Sequence, residues 1–218
     1  MKNNITELVF ILDRSGSMSG LESDTIGGFN SMVQTQKQEQ GECFVTTVLF
    51  DHEQLMLHDR VRLETLAPLT EKDYTVRGST ALLDAIGDTI RHIARIHKYA
   101  RPEDVPAHTL FVITTDGMEN ASHKYSADDV KQLIEHEKQK YGWEFVFLGA
   151  NIDAVSTARR YGIDATCAVD YHADSAGTAA AFEAVSNAVG NVRASRPMSA
   201  SWCENVREDF RSRKRGKR

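Results

Sequence analysis

The stretch that decides the fold is Leu8-Val9-Phe10-Ile11-Leu12, followed at once by Asp13-Arg14-Ser15-Gly16-Ser17. A near-continuous apolar run of this length is typical of a strand that is covered on both faces. A carboxylate and two hydroxyls follow at alternate positions, Asp13, Ser15 and Ser17, just past the predicted end of the strand. Small hard cations take oxygen ligands of these kinds. The stretch therefore has the outline of a cation site at the end of a central strand.

Outward from this stretch, apolar strands alternate with amphipathic helices. The patterns predict strands at about 5–12, 44–50, 55–57, 110–115, 143–148 and 166–169, and helices at about 21–40, 81–94, 126–140, 152–161 and 175–194. Such alternation is typical of an α/β fold with a mainly parallel sheet covered on both faces. The connector Asp51-His52 is too short for a crossover, so we expect the third strand to be an antiparallel edge strand. Gly27-Gly28 inside the first helix is expected to pack closely on the sheet.

Two later segments carry oxygen ligands to the same end of the sheet. Asp116 follows the strand at 110–115, and Thr80 opens a helix that enters from that end, with Ser79 or Thr80 as its expected N-cap. Ligands of open α/β sheets bind beyond the carboxyl ends of the strands. Two carboxylates that lie close together repel each other unless a cation lies between them. Mg²⁺, or Mn²⁺ in its place, suits such an oxygen-lined site.

The three segments together resemble the metal-ion-dependent adhesion site (MIDAS) of von Willebrand factor A (vWA) domains. They are Asp13-x-Ser15-x-Ser17, Thr80 within Gly-Ser-Thr, and Asp116 within Thr-Thr-Asp-Gly. Their order and the intervening elements also match, over about residues 5–195, and the chain is most similar to intracellular prokaryotic members. The resemblance implies a Rossmann-like three-layer α/β/α fold with a six-stranded sheet ordered 3-2-1-4-5-6 and one antiparallel edge strand.

For function, the resemblance implies metal-dependent binding of another protein, as an adaptor or scaffold and without catalysis. Ser15 and Ser17 would bind the metal directly, and Asp13 and Asp116 directly or through water. An Asp or Glu of the partner would replace a water molecule and complete the shell. Arg14 is expected to point away from the metal, because the alternate positions carry the ligands.

A serine hydrolase is one alternative interpretation. Gly16–Gly20 also matches the Gly-x-Ser-x-Gly pattern, with Ser19 as nucleophile and Asp116 and His123 or His172 as partners. The nucleophile of that motif stands on a tight strand-to-helix turn, but Ser19 lies six residues past the end of the predicted strand. This interpretation also leaves the other oxygen ligands without roles, so it is the less favoured one.

A metal-dependent phosphoester hydrolase is a second alternative, with Asp13 activating water or attacking phosphorus. Phosphoryl-transfer sites usually add a Lys or Arg clamp, and only Arg14 and Arg77 are near in sequence. No phosphate-cradling Gly-rich loop is found in the sequence. Binding without catalysis remains the favoured interpretation.

Three further polar residues flank the predicted ligands. Asp84 lies one turn into the helix after Thr80, and Glu119-Asn120 lies just past Asp116. They would either support the metal site or form its rim. The simpler interpretation, which we favour, makes Asp84 a helix N-terminal charge and Glu119-Asn120 a solvated loop.

The composition is that of an ordinary soluble globular domain. The chain has 218 residues, 41% of them hydrophobic and 26% charged. The apolar runs are strand-length and no signal-peptide pattern precedes the first strand, so no membrane attachment is expected. The three cysteines lie far apart without metal or redox spacing. A reducing cytoplasm fits them, and the oligomeric state stays open.

The charge is unevenly spread along the chain. The last nine residues carry +6, whereas the whole chain carries −5, so the remainder is strongly acidic. We predict a vWA-like domain at residues 1–195 and an extension at 196–218 that ends in this basic tail. The tail is either a solvated, unstructured end or an electrostatic contact for an acidic partner or nucleic acid.

Overall fold

A six-stranded sheet forms the centre of the computed structural model, which describes residues 4–198 and 200–215. The strands in chain order are β1 (Thr6–Asp13), β2 (Cys43–Phe50), β3 (Gln54–Arg62), β4 (His108–Thr115), β5 (Glu144–Ala150) and β6 (Ala168–Tyr171). They lie in the order β3-β2-β1-β4-β5-β6. Every neighbouring pair is parallel except β2 and β3. The predicted strand order and the antiparallel edge strand are confirmed.

Helices cover both faces of this sheet. They are α1 (Glu22–Gln36), α2 (Leu82–Tyr99), α3 (Ala127–Tyr141), α4 (Ala154–Arg160), α5 (Ser175–Arg193) and α6 (Glu204–Arg215). One apolar cluster contains buried residues of α1, α5 and α6, and the other contains those of α2, α3 and α4. The three-layer α/β/α architecture is therefore confirmed. In the described part of the chain, no helix is both long and apolar enough to cross a membrane.

The central strand β1 is buried on both faces, as its apolar run predicts. Leu8, Phe10 and Leu12 belong to one apolar cluster, and Val9 and Ile11 belong to the other. Side chains of a strand alternate between the two faces of its sheet, so one uninterrupted run serves both clusters. The strand ends at Asp13, which places the polar loop at the rim of the sheet.

The β2–β3 hairpin differs from the prediction in length. Its connector has three residues rather than two. The connector is closed by two hydrogen bonds: the Glu53 N–H donates to Asp51 Oδ1 at 2.8 Å, and the Asp51 N–H donates to the Glu53 carbonyl at 2.9 Å. Strand β3 continues to Arg62 rather than ending near residue 57. Most of its residues are exposed or half-buried, so it lacks the continuous apolar signal of the central strands.

Helix α2 begins without the expected Ser79 or Thr80 cap. Ala81 is the N-cap residue and provides no side-chain hydrogen bond. The Leu83 N–H donates instead to Glu119 Oε2 at 2.9 Å, so a loop after β4 supplies the cap. The predicted capping box of Ser126 and Asp129 at the start of α3 is present.

The segment after residue 195 packs on the rest of the molecule. Trp202, Cys203 and Val206 are buried in the cluster that contains α1 and α5, and Trp202 Nε1 donates to the Thr166 carbonyl at 2.8 Å. Arg213 pairs with Asp174 at 2.5 Å, so this cation of the basic tail neutralises an acid of the domain. The boundary at 195 stays a prediction, and residues 216–218 lie outside the described part.

Of the Gly27-Gly28 pair, only Gly28 makes a close contact, and it packs on a helix rather than on the sheet as expected. A β-carbon added at Gly28 would lie 2.3 Å from Cδ2 of Phe182 in α5. At Gly27 the same addition would meet no atom within 4 Å. Only the second glycine is therefore needed for the close approach of α1 and α5.

The different packing of the two glycines predicts that replacement by alanine has opposite effects on stability at the two positions. Gly28→Ala should lower the free energy of unfolding by about 1–3 kcal/mol, because the added methyl group overpacks the contact with Phe182. Gly27→Ala should raise it by up to about 1 kcal/mol, because alanine is the better helix former. Urea denaturation of both variants measures the difference. Equal effects at the two positions would contradict the packing described.

Candidate metal centre

The predicted ligands come together at the carboxyl ends of β1 and β4. These strands are parallel neighbours, with Leu12 opposite Thr114, so the residues that follow them emerge side by side. Ser15 and Ser17 lie on the loop after β1, Asp116 follows β4, and Thr80 precedes α2. We call Asp13, Ser15, Ser17, Thr80 and Asp116 the rim site.

The hydroxyls of the rim site converge on Asp116. Ser17 Oγ donates to Asp116 Oδ1 at 2.5 Å, and Ser15 Oγ lies 3.1 Å from Ser17 Oγ. A β-carbon added at Gly117 would lie 3.0 Å from Ser17 Oγ and 3.4 Å from Thr80 Oγ1. The hydroxyls from two separate segments thus lie against the same glycine, beside one carboxylate.

Asp13 is fully buried, and both of its carboxylate oxygens accept hydrogen bonds. Oδ1 accepts from the Ser15 N–H at 2.7 Å, and Oδ2 accepts from the Thr115 hydroxyl at 2.6 Å. Burial is the largest influence on this carboxyl and raises its pKa, while the two hydrogen-bond donors act in the opposite direction. These bonds fix the direction of the carboxylate and tie the loop after β1 to the end of β4.

Asp116 Oδ2 is the observation that most directly favours a cation here. It is buried and accepts no hydrogen bond from the described residues. Burial and the nearby charge of Asp13 raise the pKa of this carboxyl, against the lowering effect of the Ser17 hydroxyl. A buried charged acceptor without a partner is costly. A divalent cation would satisfy this oxygen and reduce the repulsion between the two aspartates.

Asp84 holds the loop after β4 in place, a role that our favoured interpretation missed. Its carboxylate accepts from the N–H groups of His123, Lys124 and Tyr125 at 2.9, 2.9 and 3.0 Å. Asp84 also lies in the first turn of α2, where the expected helix N-terminal charge is favourable. One buried carboxylate therefore joins the start of α2 to a loop about 40 residues away.

Glu119 and Asn120 are structural rather than merely solvated, so the solvated-loop interpretation is wrong. Besides capping α2, Glu119 accepts from the N–H groups of Ala121 and Ser122 at 2.9 and 2.7 Å. Asn120 Oδ1 accepts from the Thr80 N–H at 2.9 Å. These bonds fix the backbone on both sides of Thr80. In the sequence, the roles of Glu119 and Asn120 are indicated only by the position of these polar residues directly after a predicted ligand.

Arg14 points away from the rim site, as expected. Its Nε lies 2.8 Å from Oδ2 of the buried Asp51, without hydrogen-bond geometry, and Arg77 Nε donates to the same oxygen at 3.0 Å. Asp51, His52 and Glu53 bring potential ligand atoms within 4.8 Å of one another. Arg77 also pairs with Glu53 at 2.6 Å. Two guanidinium groups thus already supply positive charge there, so this cluster suits a cation less well than the rim site.

The residues of the hydrolase interpretation are not assembled into a triad. Ser19 is exposed, and no hydrogen bond within the described chain joins it to Asp116 or His123. Oδ1 of Asp116 accepts from Ser17, while His172 stacks on Phe210 of α6 with ring centroids 4.6 Å apart. The geometry therefore groups Asp116 with the rim hydroxyls rather than with a nucleophile and base.

Comparison with known proteins gives structural likeness only. No family model matches the sequence, and no curated protein matches it. A solved von Willebrand factor type A structure from Catenulispora acidiphila is similar at a TM-score of 0.60 and 16% identity, covering 87% of this chain and 43% of that one. The vWF domain of the type V pili tip protein Mfa5 from Porphyromonas gingivalis is similar at a TM-score of 0.61 and 12% identity. That alignment covers 89% of this chain and 97% of the other.

A third similar structure contains a metal. It is proximal thread matrix protein 1 from the mussel byssus, solved with a zinc-occupied MIDAS motif, at a TM-score of 0.55 and 15% identity. The alignment covers 85% of this chain and 46% of that protein. The chain thus spans less than half of the Catenulispora acidiphila and byssus proteins, and these identities establish the fold alone.

Asp84 gives a test of the support beneath the rim site. Asp84→Ala should lower the free energy of unfolding by roughly 2–3 kcal/mol, because three N–H groups lose a charged acceptor. The amides of residues 123–125 should also exchange faster with deuterium. Asp88→Ala, one turn further along α2, is the matched control. It removes a partly exposed ion pair with Lys124 and the hydrogen bonds that the Tyr125 hydroxyl and Gln54 Nε2 donate to Asp88. Among the described hydrogen bonds, no backbone N–H loses its acceptor, so the variant should cost about 1 kcal/mol and leave the exchange of the amides of residues 123–125 unchanged. Equal losses of stability in the two variants would contradict the role of Asp84 in holding the loop after β4.

Proposed function

We propose that this chain, which has the fold of a von Willebrand factor A domain, binds a divalent cation at the rim site and uses it to bind a carboxylate of another protein. The observation that carries the proposal is the buried Oδ2 of Asp116, which has no donor among the described residues, beside the hydroxyls of Ser15 and Ser17. The fold supplies the framework, and these residues supply the chemistry.

Mg²⁺ or Mn²⁺ is the proposed metal. All five residues of the rim site offer oxygen, and hard cations with octahedral preference take such ligands and keep several waters. Zinc occupies the MIDAS motif in one structure of the byssus protein. Structural zinc sites more often use Cys or His, and the rim site contains neither. The ligand chemistry of this chain therefore supports Mg²⁺ or Mn²⁺.

The arrangement of charges supports binding of an acidic partner. The two negative charges of Asp13 and Asp116 equal the charge of a divalent cation in magnitude. The other three ligands, the hydroxyls of Ser15, Ser17 and Thr80, are neutral. Protein donors already hold both Asp13 oxygens, which weakens their negative field at the rim. The metal supplies a positive coordination position for a partner's Asp or Glu. Ser17 is exposed and Gly117 has no side chain, so this position is open to a large partner.

We propose binding without catalysis. A general base at this site would have to take a proton from water, but Asp13 is fully buried and both of its oxygens are engaged. The cations nearest in sequence, Arg14 and Arg77, face Asp51 and do not form a clamp over the rim. The three free cysteines fit a reducing compartment, and we propose the cytoplasm as the location.

The Asp116→Asn variant tests the metal part of this proposal. Mg²⁺ or Mn²⁺ at 100 times its dissociation constant should stabilise the wild type by about 2.7 kcal/mol, which raises the melting temperature by several degrees. Asp116→Asn should lose this response, yet be no less stable in chelator, because it removes a buried charge whose Oδ2 has no donor among the described residues and keeps an oxygen that can accept from Ser17. The exposed Asp128 of α3 provides the matched control, Asp128→Asn, which should respond like the wild type.

Affinity capture with the same three proteins tests the partner. A specific partner should be retained by the wild type and by Asp128→Asn in Mg²⁺, and lost both in chelator and with Asp116→Asn. Replacing one Asp or Glu of that partner should also abolish binding. A metal response without any metal-dependent partner would contradict the binding function but keep the metal site. An unchanged melting temperature in the wild type would contradict both.

A further inference from the structure

A second candidate site lies at the opposite end of the sheet from the rim site. It is a cavity of about 550 Å³ between the last turns of α2 and the end of α3, closed by residues 105–106 and by Trp143 just before β5. We call it the α2–α3 cavity. Its volume falls in the range of small-molecule sites, roughly 300–1,000 Å³. Its position at the amino ends of β4 and β5 separates it from the metal chemistry.

A buried carboxylate, of which one oxygen has no donor among the described residues, lines this cavity. Glu137 is 5% exposed, and its Oε2 accepts no hydrogen bond from the described residues. Burial raises the pKa of this carboxyl. Glu7, the other buried acid in this region, does not line the cavity, and its Oε2 accepts from Arg60 at 2.8 Å and lies 3.3 Å from His97 Nε2. Glu137 is therefore the acceptor that a ligand's N–H groups would satisfy.

Three cations without ion-pair partners line the same cavity. Arg91, Arg95 and Lys98 lie four and three residues apart, so they share one face of α2. None of them has an acidic partner within 4.0 Å among the described residues, whereas Arg60 and Arg62 in a neighbouring cavity pair with Glu7 and Glu42. Arg91 lies over the Tyr125 ring and Lys98 over the Tyr99 ring, each at 5.4 Å, but these contacts do not cancel the charge. The positive charge therefore favours a ligand with an anionic group.

Aromatic rings provide the remaining walls. Tyr99 and Tyr141 are 74% and 56% exposed, and both line the cavity. Trp143 is held by stacking on Phe111, with centroids 5.3 Å apart, and meets His97 edge-on. Such rings stack favourably on planar heterocycles. The cavity thus offers two exposed tyrosine rings and a fixed tryptophan, on which a flat ligand can stack.

From this combination we infer that the α2–α3 cavity binds a guanine nucleotide. The Watson–Crick edge of guanine presents neighbouring N–H donors, which match a carboxylate such as that of Glu137. On the same edge of adenine, an acceptor nitrogen lies beside the amino group and would face the carboxylate without a proton to donate. The phosphate would lie among Arg91, Arg95 and Lys98, because Arg and Lys bind phosphate through charge-assisted hydrogen bonds. A purely cationic ligand fits poorly, since three cations oppose the single acid.

Calorimetric titration of the full chain with GMP tests this assignment. GMP should bind with a dissociation constant on the order of 10–100 µM, a modest affinity for so small a ligand. AMP, guanosine and inorganic phosphate should each bind at least about ten times more weakly, because each lacks one of the contacts. An affinity for phosphate alone that equals the affinity for GMP would mean an adventitious anion only and would overturn the assignment.

Two variants locate the contacts. Glu137→Gln keeps the shape of the side chain and should reduce both the GMP affinity and the preference over AMP by about tenfold or more. Arg95→Met should weaken GMP binding but leave guanosine binding unchanged, and it remains informative if Glu137→Gln does not fold. Lys131→Met, on the face of α3 that pairs with Glu135, is the control and should bind like the wild type. Absence of GMP binding in the wild type, or unchanged binding in both test variants, would refute the site.

Discussion

The hydrogen bonds of the Asp13 carboxylate hold the functional end of this molecule together. One oxygen accepts from the Ser15 N–H and the other from the Thr115 hydroxyl, so one buried side chain joins the loop after β1 to the end of β4. That link sets where Ser17 and Asp116 meet. Without it, only the pairing of β1 with β4 and the hydrogen bond from Ser17 to Asp116 would join the two loops directly.

The surrounding charges divide the rim into two regions with different chemistry. Arg14 and Arg77 both face Asp51, so their positive charge compensates that acid and not the rim site. Asp116 keeps an oxygen without a donor at the point where Ser15 and Ser17 offer theirs. The proposed cation therefore has a clear electrostatic reason to prefer the rim over the Asp51 cluster, although the two lie on neighbouring loops.

The resemblance to vWA domains predicted the strand order. The sequence pattern itself predicted the convergence of the ligand residues, because parallel strands carry the residues that follow them to one edge. It did not predict the roles of Asp84 and Glu119. Their carboxylates accept hydrogen bonds from backbone N–H groups of distant segments, and such contacts produce no periodic pattern in the sequence. The length of β3 was missed because an exposed edge strand lacks a continuous apolar run. Three buried apolar residues, Trp202, Cys203 and Val206, anchor the C-terminal segment, and they are too few to form a periodic pattern.

The position of the cation is the central claim, and anomalous scattering from crystals grown with Mn²⁺ would locate it directly. The account predicts one strong anomalous peak within coordination distance, about 2.0–2.4 Å, of oxygens of Ser15 and Ser17, with Asp116 bound directly or through a water molecule. A peak at Asp51, His52 and Glu53 instead, or no peak at the rim site at a saturating Mn²⁺ concentration, would contradict it.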